Sequence, residues 1–410
     1  MNLRSLGALA ISMALAACAT PSPQQNVMPM PTATPTALTT PTILPTPTPT
    51  ASPIPVVVIE PTLIPAPIST VKPLNVQEAR ALLNQLLPAK MPERAGWSAD
   101  ILDAFTALKL PYTAAYFCAA AATIEQESSW QGDPTVPGLP KIVWSAIGER
   151  AAKYHIPLIA VQTALLKKSP TGKSYKERID TLRTEREMNA LFEDLADEAE
   201  NLNLPLNMKN PIRTGGPMQV SVEFAQGHVK AWPYPYAMKG SVRNEVFTRR
   251  GGTYFGLAIL LQYPAPYTDM VYRFADYNAG RYASRNTAFQ QLVSKLTGQA
   301  LEQDGDLLRY SNGTPTGTSS TQAALYRLAK QLGMSNEAIL RDLKLEKLSG
   351  FGQTELYKKT YALAEKNGQA YPRAALPQID LKSPKITRKL TTEWFAKRVL
   401  WRYETCMARR

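Results

Sequence analysis

The sequence predicts a mostly α-helical protein. Apolar residues recur at helical spacing in most segments after residue 75, and several of those segments open on an Asn, Ser or Thr cap. Alternating strand patterns are few. At 410 residues the chain is long enough for two globular units, or for one large domain with an extended segment.

Met1 to Ala17 reads as an export signal, with Arg4 ahead of an apolar stretch from Leu6 to Leu15. A helix needs about 20 apolar residues to span a bilayer, so this stretch is a signal and not an anchor. Leu15-Ala16-Ala17-Cys18 resembles the bacterial lipobox, which implies lipidation of Cys18 and a membrane address without a spanning helix. Ala19 in place of Asp implies sorting to the outer membrane, on its periplasmic face. Residues 18–74 are rich in Thr-Pro steps such as Pro45-Thr46-Pro47-Thr48-Pro49, a composition that buries no core and suits a semi-rigid tether. The first 75 residues hold only Arg4, Glu60 and Lys72, a net +1, so nearly all of the net charge of +13 belongs to the folded part. A basic surface suits any polyanion; export excludes nucleic acid from the expected partners.

Folded sequence begins at Asn75, a cap for Val76 to Leu87, and Ser98 reads as a cap for Ala99 to Leu110. Thr113 caps a third helix through Glu127 that is apolar on nearly every face. Residues 131–214 carry Pro/Gly turns and two charged helical patterns, Ile142 to Lys153 and Ser174 to Asn201. Gly251 to Gln262 and Tyr267 to Tyr277 read as apolar helices. A loop from Ser311 to Thr318 precedes helical patterns near Thr321 to Leu332, Glu337 to Leu345, Glu355 to Asn367 and Thr391 to Met407.

A carboxylic acid works as a general acid near neutral pH only when its pKa is raised, and an apolar site is the usual device. Glu127 ends the most apolar helix of the chain. Glu127-Ser128 is followed by Gly216-Pro217-Met218-Gln219 and by Tyr277-Asn278-Ala279-Gly280. In this order the three motifs resemble those of the family-one lytic transglycosylases, relatives of goose-type lysozyme. Pro217 stands where that family usually has Leu. The 92 residues from Glu127 to Gln219 replace a short loop, so 131–214 reads as a large insertion. The whole architecture also resembles a family of uncharacterised bacterial lipoproteins.

The resemblance implies a lysozyme-like helical domain over 75–310, with a helical C-terminal region over 311–410. It implies that Glu127 protonates the glycosidic oxygen between N-acetylmuramic acid and N-acetylglucosamine in peptidoglycan, then deprotonates the muramic 6-hydroxyl to leave a 1,6-anhydro end. Ser128 would position a sugar or Glu127. Met218 and Gln219 would line the glycan site, Tyr277 would hydrogen-bond Glu127, and Asn278 would hold a sugar. One carboxyl group suffices, because the substrate's acetamido oxygen can stabilise the developing charge. Two alternatives share the motifs: a muramidase that uses water, and a non-catalytic peptidoglycan-binding or assembly lipoprotein whose insertion or C-terminal region recruits a protein.

Trp130, Tyr234, Tyr236 and Tyr282 are candidate sugar-stacking rings whose commoner duty is core or rim packing. No metal or other cofactor is expected: His155 and His228 lie 73 residues apart without ligand spacing, and no glycine-rich phosphate loop occurs. In an oxidising compartment the remaining cysteines, Cys118 and Cys406, are expected to form a disulfide. Nine positions at 100° each put Cys118 and Glu127 on opposite sides of one helix, so the bridge should lie behind the site.

Overall fold

Asn75 opens the folded chain on a reciprocal cap. Its side-chain oxygen accepts from the Gln77 and Glu78 amides at 2.9 and 3.0 Å, and the Glu78 carboxylate accepts from the Asn75 N–H at 2.8 Å, which starts α1 (Val76–Leu86). The computed structural model describes residues 74–201, 210–238, 240–311, 313–381 and 390–410; the signal and tether, with Cys18, lie outside the described residues.

Ser98 corrects the sequence reading, because it sits inside α2 (Arg94–Ala107) and does not cap it. Its hydroxyl donates to Asn84 Oδ1 at 2.7 Å and so ties α2 to α1, while the helix begins a turn earlier. Thr113 does cap α3 (Ala114–Ser128), accepting from the Tyr116 amide, and α3 is buried without interruption from Phe117 to Ile124.

The segment 131–214 folds as α4 (Leu139–Lys153), α5 (Leu158–Ala164), α6 (Tyr175–Asp180) and α7 (Glu185–Asn201). The single helix expected from Ser174 to Asn201 is therefore two. Between them Thr184 Oγ1 accepts from the Glu187 amide, and Glu187 Oε2 accepts from the Arg183 and Thr184 amides at 2.7 and 3.2 Å, which starts a new helix. Val143, Ile147, Val161, Tyr175, Leu191 and Leu195 of this segment share one core with α1 to α3.

A two-residue hairpin, β1 (Thr214–Gly215) with β2 (Val220–Ser221), leads into α8 (Val222–Ala231), α9 (Val242–Val246), α10 (Arg249–Leu261) and α11 (Met270–Ala279). Then come α12 (Ala283–Thr297) and a hairpin of β3 (Tyr310–Ser311) with β4 (Thr314–Pro315). Three helices follow, α13 (Ser320–Leu332), α14 (Asn336–Leu343) and α15 (Glu355–Ala364). The described chain closes with β5 (Asp380–Leu381) paired to β6 (Leu390–Thr391) and with α16 (Thr392–Met407). α16 packs against α3 and α11, so the C-terminal helix returns to the first core. A second core gathers Phe289, Leu292 and Val293 of α12 with Leu307, Leu308 and the apolar faces of α13 to α15. It draws on residues from both sides of the expected division at 310–311. No helix among the described residues is long and apolar enough to cross a membrane.

A buried polar latch ties α12 to the second core. Arg285 is 1% exposed, lies between the rings of Tyr282 and Phe351, and donates to Asn286 Oδ1 and to the carbonyls of Glu346 and Leu348. Glu346 is fully buried and accepts from the Leu307 and Leu308 amides and from the Tyr310 hydroxyl. Arg285→Met removes donors from carbonyls that stay buried, at a cost of about 3 kcal/mol. In hydrogen exchange, α13 to α15 of that variant should open before α3 and α16; unchanged protection would contradict the latch.

Candidate active site

α3 delivers Glu127 on its last turn and then stops sharply. Ser129 and Trp130 take left-handed φ values of 49° and 65°, a conformation that costs most side chains energy and is sustained only when the surroundings fix it. Trp130 is fixed: its ring is buried against Trp97, 5.5 Å between centroids, and its carbonyl accepts from Trp97 Nε1 at 3.1 Å. Glu127 is half-buried by surface area, yet protein atoms surround it densely. Surface area governs whether a ligand can reach the carboxyl; the density of the surroundings governs its ionisation. Burial, with the charge of Glu185 added, pushes the Glu127 carboxyl up to about 8. No donor among the described residues is hydrogen-bonded to it, which is consistent with that direction.

The second motif is the loop of the β1–β2 hairpin, where Gly215 pairs with Val220. Gly216 has φ +74°, and a Cβ there would lie 2.1 Å from the Val246 carbonyl oxygen, so glycine is required. Pro217 rests on Gly252 of α10, where a Cβ would come within 2.5 Å of its ring. That close approach seats Pro217 in the turn. Met218 is fully buried, and Gln219 is half-buried at a left-handed φ of 49°. Gln219 Nε2 donates to Glu185 Oε2 at 2.8 Å.

The third motif ends α11. Asp276, buried, accepts from the Tyr282 and Ser284 amides at 2.8 and 2.7 Å and from the Tyr263 hydroxyl at 3.0 Å, which fixes the turn at Gly280. Burial raises the Asp276 carboxyl to about 6 against these hydrogen bonds. The Tyr277 hydroxyl donates to the Met218 carbonyl, so the second and third motifs touch directly. This corrects the expectation that Tyr277 hydrogen-bonds Glu127. The nearby Glu127 does help burial to push the Tyr277 phenol well above its usual range.

Ser128 is buried and its hydroxyl donates to the Ile124 carbonyl at 3.0 Å, a bond within the helix that occupies its proton. Asn278 is exposed, and its Oδ1 accepts from Thr392 Oγ1 of α16 at 2.8 Å. Trp130 and Tyr282 are core rings, while Tyr234 and Tyr236 pack edge to face on each other and on Tyr254. Cys118 and Cys406 are disulfide-bonded, with Cα atoms 5.5 Å apart.

Glu185 was not marked by any motif. Its place follows from pairing outside α7: Thr135 bridges Thr184, and the Val136 amide donates to the Arg183 carbonyl at 2.8 Å. These contacts dock the start of α7 beside the segment that leaves α3. A cavity of about 350 Å³ also lies in the segment 131–214, lined by Lys168, Tyr175, Asp194 and Glu198. It includes none of the motif residues, and two of its three acids are ion-paired, Asp194 to Arg178 and Glu198 to Lys167. Among the described residues no group of three or more His, Cys, Asp or Glu side chains is placed to hold a metal ion.

No solved structure matches the chain. The chain is similar to "Uncharacterized protein YaiW" of Escherichia coli (strain K12), 49% identical over 331 residues that cover 80% of this chain and 90% of the relative. The family described as "Protein of unknown function (DUF1615)" matches residues 90–409, from the start of α2 through the disulfide-bonded last helix, and the chain belongs to that family.

Proposed function

We propose that the chain is a peptidoglycan lytic transglycosylase of lysozyme-like descent, lipidated at Cys18 and held on the periplasmic face of the outer membrane. The observation that carries this reading is the direct contact of the second and third motifs through Met218 and Tyr277, beside a Glu127 carboxyl that burial pushes up to about 8. A protonated Glu127 would give its proton to the glycosidic oxygen as the bond to muramic C1 breaks, releasing N-acetylglucosamine as the hydroxyl. The substrate's acetamido oxygen stabilises the charge at C1. The Glu127 carboxylate then takes the proton of the muramic 6-hydroxyl, whose oxygen closes on C1. Acid and base are the same group at two stages, so the cycle returns Glu127 protonated.

Full-length protein in mild detergent should release muropeptides with 1,6-anhydro ends from purified sacculi, as read by mass spectrometry. One observation favours a hydrolytic second reading: Glu185 places another carboxylate near Glu127. Reducing ends would establish that reading, and no released fragments would leave the binding reading. For the anchor, Cys18→Ser should move the protein from the membrane to the soluble fraction, whereas unchanged fractionation would refute lipidation there.

A further inference from the structure

We propose that Glu185, at the head of α7, is the positioning residue that sets what Gln219 can recognise, so that the site selects a hydrogen-bond donor such as the N–H of an N-acetylated sugar. The proposal rests on the glycan reading above and extends it to the substrate group that is read.

An ionised carboxylate only accepts hydrogen bonds, so the Gln219 atom 2.8 Å from Glu185 Oε2 has to be the amide nitrogen. The same nitrogen lies 3.5 Å from the Gly216 carbonyl, so both acceptors draw on the N–H side of the amide. Oε1 is left as the atom Gln219 offers to a ligand. An amide without such a neighbour can present either end by rotation; with Glu185 in place, one end is chosen. The left-handed backbone at Gln219 holds the side chain at the loop edge, and the Tyr277 hydroxyl fixes the Met218 carbonyl just before it.

Glu185 is itself held from several sides. Its helix start is pinned by the Thr135–Thr184 bridge and by the Glu187 cap, and its neighbour Arg186 pairs with Asp133 at 2.8 Å. The titratable groups that act on Glu127 are Glu185 from α7 and Tyr277 from α11. Glu125 of the same helix faces Arg402 of α16 at 3.7 Å. Removing the Glu185 charge should therefore lower the titration midpoint of Glu127, because only the burial contribution remains.

The test uses full-length protein in detergent, with N-acetylglucosamine tetramer and its N-methylated counterpart, which keeps each acetyl carbonyl but lacks the amide N–H, as calorimetric probes. Wild type should prefer the tetramer that carries the N–H. Glu185→Ala and Gln219→Ala should each erase most of that preference, by about tenfold for one charge-assisted hydrogen bond, and the double variant should lose no more than either single one. Additive losses would overturn the proposal, since they mean that Glu185 does not act through Gln219. With ¹³C-labelled glutamate, the Glu127 signal, assigned by its loss in Glu127→Gln, should titrate at lower pH in Glu185→Gln than in wild type. An unchanged midpoint would also overturn it, and this readout stands even if no sacculi are cleaved. A Glu185→Gln protein whose products change from reducing to anhydro ends would instead make Glu185 a water-activating base and end the positioning role.

Discussion

Glu127→Gln is expected to reduce fragment release from sacculi by about 10² to 10⁴, the usual contribution of a positioned general acid. The isosteric amide keeps the shape of the α3 terminus and removes the transferable proton. Retention of wild-type release would remove Glu127 from the chemistry, whatever its surroundings. The pH dependence has a defined sign. With its carboxyl pushed up to about 8, free Glu127 is protonated through neutral pH, so activity should persist there and fall as pH rises through about 8. An activity loss already complete by pH 5 would contradict the protonated acid. Folding is linked to the same proton. A carboxyl whose folded pKa is raised contributes its stability fully below the unfolded value of 4.5 and loses it as pH rises through about 8. Glu127→Gln should thus be more stable than wild type above pH 8, by roughly 2 kcal/mol. The shift alone would suggest more, but the residue's contact with solvent discounts it. Thermal melts of the two proteins at pH 6 and 9 would show the difference widening with pH.

How much of this was legible depended on which interactions made each element. α3 was legible because its cap, Thr113, and its run of alanines are local signals that agree with burial. α12 went unread because its buried positions include Ser284, Arg285, Asn286 and Gln290, whose partners lie on other segments, so no apolar period marks the helix. Ser98 misled for a related reason: a serine that finds Asn84 across a helix pair is indistinguishable, in one dimension, from a cap. The three motifs located the Glu127, Gln219 and Tyr277 segments, but they could not say that Tyr277 would spend its proton on Met218. Glu185 had no signal at all, since its nearness to Glu127 is made by strand-like pairing of Thr135 with Thr184, 49 residues apart in sequence.

Loss of the Cys118–Cys406 bridge is expected to be the most destabilising change at a distance from the carboxyl. The bond closes 288 residues of sequence, and the chain-entropy account allows roughly 5 kcal/mol for a loop of that size, with 2 to 5 kcal/mol a common outcome on removal. Both sulfurs are buried, so Cys406→Ala leaves a small apolar site and isolates the covalent contribution. Thermal unfolding should drop on the order of 5 to 10 °C. Thiol titration of the denatured, unreduced wild type should find neither cysteine of this pair free; two free thiols would refute the bridge. The consequence for the site follows from what α16 carries. Thr392 donates to Asn278 and Arg402 faces Glu125, while α16 packs along α3 on the side opposite Glu127. With the bridge gone, α16 is held only by packing, and its fraying frees Asn278 and the back of α3 while leaving Glu185 and Gln219 joined. Cys406→Ala should therefore lose activity on warming before it loses the second core, and the wild type treated with reductant should follow the same course. Equal temperature profiles for the two proteins would mean that the helix packing alone positions the helix that carries Glu127.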